Sequence, residues 1–569
     1  MGINNSRIPY QIGSTANERS AAPKNQNTMS TPPEGFVVRG TAPSPKGRKL
    51  VASRTFHPGD VIATFGEPSI AIPDSHHLDS TCSRCLSPSA AGKPVRVCTG
   101  CRAVAYCSST CQKLDWVGGA HKAECKVSKR VLADGHPPLP TPVRALIQAL
   151  IRPDMLTALQ EVEGHVDRFR QDRPKVWADM ILQATGALHY LGRDANPRRM
   201  AEAIDTLCKL QVNSFNRLDD DVGQSGFFIN PTLAMINHSC IPNAYVQLSG
   251  RQATVHASQE IKKDEEIEIS YIDYASPRSA RQEALKERYH FVCACPRCNE
   301  DLDVYQVAKQ YRHLSLNALS LVPDIQQKLQ SLPDFVKTKK SLDSLIKDIY
   351  PWCSIPLPND MPASEKAKHL SQRWRACSPI LATKCYAVEP LQQVFYEATA
   401  YFGQKADFAA TLAVSSFVTL NVNSFTYPAP FHPQRVKDLM MIAKLLSNTA
   451  PWSAESGLLT QAAKNSELMQ ELAKMDHATI CQVLLELVIY YAPMAHSKEW
   501  QICKMAQDML SDIETLPGRD TENSLVKAFL RNPNGAVEQQ FFLQAILDPV
   551  RQISLFCSDV MEKEFGSRA

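Results

Sequence analysis

The sequence predicts an α+β protein of several domains. A β-rich region is interrupted by a cysteine-rich finger and then by a helical insert, and an all-helical region follows. Three observations carry this reading. Short β-like runs set off by Pro and Gly occur at 36–65 and again at 244–270. Seven cysteines fall between Cys82 and Cys125. Apolar residues recur at helical spacing over 142–212 and from residue 300 onward. A chain of 569 residues is too long for one compact core. Its 44% apolar and 21% charged content excludes a mainly disordered or fibrous protein. A net charge of +4, from 62 basic and 58 acidic side chains, gives no general attraction to nucleic acid or membrane.

Taken in order, residues 1–34 are rich in Asn, Ser, Thr and Pro and are expected to be a disordered tail. The opening Met-Gly-Ile-Asn-Asn-Ser fits the N-myristoylation pattern, with Gly2 as acceptor and Ser6 in the preferred place. A single acyl chain would anchor only weakly. No apolar signal region is visible, so the expected compartment is reducing, cytoplasmic and/or nuclear, where clustered cysteines mean metal before disulfides. Strands are expected at Phe36-Val37-Val38, Lys49 to Ala52 and Asp60 to Phe65. Helices follow from Leu146, Leu150, Met155 and Leu156, then Trp177, Met180, Ile181 and Leu188. Ala244–Leu248 and Gln252–His256 read as a hairpin around Ser249-Gly250, and Glu266–Ser270 as an alternating strand. The Glu265-Glu266-Ile267-Glu268 run reads as a solvated strand face and turn. Beyond residue 300, runs at 391–421 and 435–447 suggest stacked helical hairpins. Ile480–Ala492, interrupted by Gln482 and Glu486 and stopped by Pro493, reads as a buried helix and not a membrane span.

The finger carries four ligand pairs: Cys82-x2-Cys85, Cys98-x2-Cys101, Cys107-x3-Cys111 and His121-x3-Cys125. Eight ligands suffice for two closed tetrahedral zinc sites, and with no open position both ions should be structural. These residues resemble the MYND finger. The resemblance implies interleaved ligation, with Cys82, Cys85, Cys107 and Cys111 on one zinc and Cys98, Cys101, His121 and Cys125 on the other. From Cys82 to Arg130 there are nine Lys/Arg against two Asp/Glu, a basic face that could meet an acidic peptide. Nucleic acid is disfavoured because no C2H2-type recognition helix is present.

Cys293-x-Cys295-x2-Cys298 supplies three more thiolates, and Cys240 is the candidate fourth. It sits in Asn237-His238-Ser239-Cys240-Ile241-Pro242-Asn243. That heptamer, Ser270-Tyr271-Ile272-Asp273, the late Cys triplet, Lys46-Gly47-Arg48-Lys49-Leu50 and Asn213-Ser214-Phe215 together resemble a SET domain with its post-SET zinc. With the inserted finger, the chain resembles the SET and MYND domain-containing (SMYD-like) protein-lysine methyltransferases. The resemblance implies seven segments: a tail (1–34), N-terminal SET (35–75), MYND finger (82–125), helical insert (126–210), core SET (211–275), post-SET zinc segment (276–300) and TPR-like helical domain (301–569).

It further implies S-adenosyl-L-methionine as cofactor, three structural zinc ions, and a protein lysine, histone or non-histone, as substrate. Lys46, Gly47, Arg48, Asn213, Asn237, His238, Tyr271 and Phe291 would hold the cofactor. Tyr271 would direct its hydroxyl at the transferring methyl. Phe215 and Tyr289 would line the lysine channel, and the finger would bind peptide partners. Lys49 stands where the family has its second glycine. A strained backbone or a close approach of the cofactor there would favour the alternative, a catalytically weak or inactive MYND/SET adaptor in transcriptional or signalling complexes. The other seven cysteines (Cys208, Cys353, Cys377, Cys385, Cys481, Cys503 and Cys557) should be free thiols.

Overall fold

The computed structural model describes residues 35–39, 48–89, 94–219, 223–311, 314–331, 344, 346–358, 360–449 and 466–566. Gly2, Lys46 and Gly47 lie outside the described residues. Two compact units emerge, one within 6–257 and 261–300, the other within 258–260 and 301–569.

The first unit is built from small sheets. β1 (Phe36–Arg39) and β2 (Lys49–Ala52) form an antiparallel pair. β3 (Val61–Phe65) pairs with the hairpin of β10 (Ala244–Ser249) and β11 (Gln252–Ala257). Gly250, at φ +52, closes that hairpin in the left-handed region that glycine enters without cost. β4 (Ile70–Pro73), β8 (Gly223–Ile229) and β7 (Phe215–Asp219) form a third sheet. A Cβ at Gly226 would lie 2.4 Å from the Ile72 carbonyl, so only glycine lets β8 approach β4 this closely. β5 (Arg96–Val97) and β6 (Ala105–Tyr106) belong to the finger.

α1 (Ser109–Val117) and α2 (His121–Ala133) complete the finger, and Ser108 caps α1 by accepting from the Cys111 amide. The insert holds α3 (Thr141–Leu150), α4 (Pro153–Leu159), α5 (Val166–Asp172), α6 (Pro174–Leu191) and α7 (Pro197–Asn213). The start of α7 is set by Asn196, whose side chain accepts from Arg199 N, and by Pro197 in the first turn. Ala145, Leu146, Ile147 and Ala149 of α3 are fully buried against α6, α7 and β4. This seam joins the insert to the sheets in one hydrophobic core.

The strand expected at Glu266–Ser270 shrinks to β12 (Glu268–Ile269), which runs parallel to β9 (Asn237–His238). The preceding residues bond elsewhere: Val51 bridges Glu266, and Ile267 N donates to Leu50 O. One short run is thus shared between β2 and β9, and its backbone groups are satisfied by two neighbours. α8 (Arg278–Tyr289) and α9 (Pro296–Asn299) close the unit.

The second unit is helical among its described residues, with long helices at Leu391–Gln404, Phe408–Val418, Pro433–Thr449 and His477–Ala495. The last runs past Pro493, contrary to the expected stop. Pro493 removes one hydrogen bond near the C-terminal turn, and His496 N still bonds Ala492 O. Two helices here are long and apolar enough to cross a membrane, but 83% and 67% of those stretches are buried within the fold, as in core helices.

Candidate active site and three metal centres

The finger gathers its ligands in the interleaved sets. Within Cys82, Cys85, Cys107 and Cys111, and within Cys98, Cys101, His121 and Cys125, all ligand atoms lie within 4.8 Å of one another. Four ligands about 2.3 Å from one ion stand about 3.8 Å apart in a tetrahedron. Cys85 and Cys107 sulfurs are 3.6 Å apart, as are those of Cys107 and Cys111, and His121 Nε2 is 3.4 Å from Cys98 Sγ. Trp116 and Tyr106 enclose the His121 ring edge-on, and Tyr106 donates to buried Asp115 at 2.8 Å. Burial raises the Asp115 carboxyl, and the bond from Tyr106 opposes that rise.

The third set, Cys240, Cys293, Cys295 and Cys298, is buried throughout, with Cys240 and Cys298 sulfurs 3.6 Å apart. Hydrogen bonding from Cys293 and burial push the Cys240 thiol up, while Cys240 and Cys293 draw Cys295 down. Four sulfurs this close cannot all ionise unless a cation offsets them, which is the condition zinc meets. The three donor sets are compatible with three zinc ions. α8 props the third set. Gln282 bonds both backbone groups of Cys293 (Nε2 to O 2.8 Å; N to Oε1 2.9 Å), and buried Arg281 reaches Ser276 O at 2.6 Å and Cys298 Sγ at 3.8 Å.

Tyr271 is fully buried beside this centre. Its hydroxyl donates to Ile236 O at 2.7 Å, and its backbone N–H donates to His238 Nδ1 at 3.0 Å. The His238 Nε2 lies 3.3 Å from Cys240 Sγ. Tyr289, at the C-terminal end of α8, is also fully buried, with its ring 5.1 Å from that of Tyr271 and its hydroxyl donating to Tyr271 O. His290 turns the chain through the left-handed region at φ 58, and Phe291 then lies 6.0 Å from His238 and 6.3 Å from Tyr271, ring to ring. Burial raises the Tyr271 phenol well above its usual value, with Tyr289, Glu268 and Glu266 adding to the rise.

Asn237 uses both amide hydrogens, one on Arg48 O at 2.9 Å and one on Glu266 Oε1 at 2.8 Å. Its carbonyl oxygen is therefore the end that can meet a ligand N–H. Glu266, expected on a solvated face, is instead partly buried and orients Asn237. The hydrogen bonds that draw residues 266–267 onto β2 also turn this carboxylate inward. Arg48 pairs with Glu161 at 2.7 Å. Asn213, at the end of α7, donates to Glu163 O at 2.7 Å and Lys209 O at 2.8 Å, while its Oδ1 is buried without a partner. An orphaned acceptor costs about 1–3 kcal/mol, and a ligand bearing an ammonium group would satisfy it. These acceptors therefore fit the amino-acid end of S-adenosylmethionine.

The structure thus brings Arg48, Asn237, His238, Tyr271, Tyr289 and Phe291 together, with Asn213 one loop away through 161–163. Phe215, fully buried, starts β7 in register with Phe228. Lys49 lies in β2 opposite Arg39 and is not among the residues with positive φ, so the strain expected there is absent. Glu161, Glu163, Glu266, Arg281 and Gln282 support the site without a sequence signal of their own. Their partners lie far along the chain or are backbone atoms, and no spacing marks such pairs.

A SET domain family model matches residues 47–272. The chain is 36% identical over 257 residues to SET domain and MYND-type zinc finger protein 6 of Schizosaccharomyces pombe, covering 45% of this chain and 50% of that protein. It is 28% identical to Histone-lysine N-methyltransferase ASHR1 of Arabidopsis thaliana, over 47% of this chain and 57% of that one. Human N-lysine methyltransferase SMYD2 matches at 31% over 46% of this chain and 60% of its own. The matches span half to three-fifths of these relatives. With a SET domain matched at 47–272 and a zinc-ligand finger inserted in it, this part of the chain is similar to the SET-and-MYND proteins.

Proposed function

We propose that this chain is an S-adenosylmethionine-dependent protein-lysine N-methyltransferase. One observation carries the reading: a buried, protonated Tyr271 hydroxyl packed with His238, next to Asn237 in sequence, inside the matched SET segment. When bound, the cofactor would supply a sulfonium methyl to a neutral lysine amine: the N–C bond forms in line as the C–S bond breaks, the thioether leaves and the methylated amine sheds its extra proton to water. The protein's part is alignment and dryness. Asn213 Oδ1 and the Asn237 carbonyl accept N–H groups of the cofactor, and Lys46, Gly47 and Arg48 complete its loop by family resemblance. Phe291 covers its adenine. Tyr271 keeps its proton and holds the amine and methyl in line, and Phe215 and Tyr289 wall the lysine channel. The three zinc ions hold the finger and the post-SET segment in place.

The substrate is a protein lysine, histone or non-histone, recognised in part by the helical second unit with TPR-like character. The finger, with exposed Leu114, Trp116 and Val117 on α1 among basic residues, is the surface for peptide partners. The site of action is the cytoplasm, the nucleus or both, and acylation at Gly2 would add a weak anchor. The test is calorimetric binding of S-adenosylmethionine followed by transfer of labelled methyl into a proteome extract. Cofactor binding with labelled lysine in a protein product is the expected result. Absence of both binding and transfer sinks the reading and leaves an adaptor.

A further inference from the structure

Two bonds of one imidazole are not used by the proposed chemistry. His238 is 4% exposed, and its ring sits between the third metal centre and Tyr271. A backbone amide can only donate. The 3.0 Å bond from Tyr271 N therefore needs a lone pair on Nδ1 and leaves the ring proton on Nε2. That proton faces Cys240 Sγ at 3.3 Å. Cys240 belongs to the buried four-cysteine set, and β9 and β12 hold the two ends of this bridge in fixed register through Ile269 and His238.

We infer that His238 is a positioning residue, a neutral strut whose Nε2–H donates to the Cys240 thiolate while its Nδ1 holds the backbone of Tyr271. Metal-site order is thereby transmitted to the catalytic hydroxyl. The thiolate gains a hydrogen-bond donor, which disperses its charge and steadies the ligand. Tyr271 gains a fixed amide, and its rigid side chain then places the hydroxyl. The catalytic consequence rests on the methyl-transfer reading; the two hydrogen bonds do not.

Two variants separate the two ends. In His238→Asn, the amide oxygen falls near the place of Nδ1 and can still accept from Tyr271, but nothing reaches Cys240. In His238→Gln, the amide nitrogen falls near Nε2 and reaches the thiolate, but the Tyr271 amide loses its acceptor. His238→Asn should speed transfer of one of the three zinc ions to a chelator by roughly 10-fold or more, with a smaller fall in kcat. His238→Gln should hold that zinc within about 3-fold of wild type yet lower kcat, measured at saturating cofactor, roughly 10-fold. Variants that move together, in the reverse sense or not at all overturn the strut. Should either variant fail to fold, magnetic resonance on the wild-type holoprotein decides. With spin-active cadmium in the third site, the His238 Nε2–H must show coupling to the metal through sulfur. The Tyr271 amide nitrogen must show coupling to Nδ1 across its hydrogen bond. Absence of either coupling overturns the proposal even if methyl transfer is observed. Both couplings present with no methyl transfer would uphold the strut and defeat only the proposed function.

Discussion

At the scale of the residue, Tyr271 shows how burial sets chemistry. Burial raises its phenol above the usual value of 10, so the hydroxyl stays a donor over the working pH range. The sign follows from proton linkage. A raised folded value adds stability below the unfolded pKa, and that stability is lost as pH rises beyond it. A rate that rises with pH therefore reports deprotonation of the substrate amine and not Tyr271. Tyr271→Phe removes one hydroxyl from a site with no other change in packing. Cofactor affinity and zinc content should hold, while kcat falls by ~10²-fold or more, because the lost contact aligns amine and methyl in the transition state. Steady-state kinetics on an identified substrate, with calorimetry alongside, checks this. Full retained activity would remove Tyr271 from the mechanism.

At the scale of the element, two polar arrangements, one buried and one partly buried, fix helices. Glu124, on α2 between zinc ligands His121 and Cys125, accepts from Arg144 Nε at 2.9 Å and from Gln148 Nε2 at 3.1 Å, both on α3. Arg144 also reaches Pro73 O at the end of β4. This buried pair ties the finger to the insert. Arg144→Met leaves Glu124 buried without its counter-charge and should cost about 3–5 kcal/mol; pairing it with Glu124→Leu should recover most of that. Thermal unfolding of the single and double variants measures it, and a single variant as stable as wild type would refute it.

In the second unit, Asp438 accepts from Asn423 at 2.7 Å and Gln434 at 3.1 Å, yet burial pushes its carboxyl up to about 7 despite those bonds and nearby Arg435 and Lys437. A raised folded value means the native state binds the proton more tightly. Stability from Asp438 is full below the unfolded carboxyl range and lost as pH rises toward 7. Between pH 5 and 8 the melting temperature of wild type should therefore fall more than that of Asp438→Asn. Parallel pH profiles for the two proteins would contradict the shift.

At the scale of the whole molecule, twelve ligands in three closed sets predict three zinc ions per chain. Elemental analysis of purified protein giving fewer than about 2.5 zinc per chain would reject one set. The seven other cysteines are free thiols and buried, so thiol titration of native protein should count almost none of them until it is unfolded. The two units differ in what they ask of metal. The first has cores stitched across short strands and zinc centres. The second packs long apolar helices such as Phe408–Val418, nearly all of whose residues are buried. Chelation should therefore disorder the finger and post-SET segment while the helical unit keeps its circular dichroism.

What the sequence by itself determined were features written in local spacing. Cys-x2-Cys and His-x3-Cys pairs, the Ser249-Gly250 hairpin and the helical stripes of the insert each depend on residues a few positions apart, where backbone geometry dictates who can meet whom. The family resemblance added which finger pairs share an ion. Only the tertiary structure decided contacts between distant segments. Asn237 reaches Arg48 across 189 positions, and Arg48 finds Glu161 across 113. It also turned Glu266 from an expected solvated residue into the partner that orients Asn237, and it gave His238 its two bonds. Such groups carry no periodic or spacing signal, because a hydrogen bond requires only that two atoms be brought within about 3 Å, and chain topology alone arranges that.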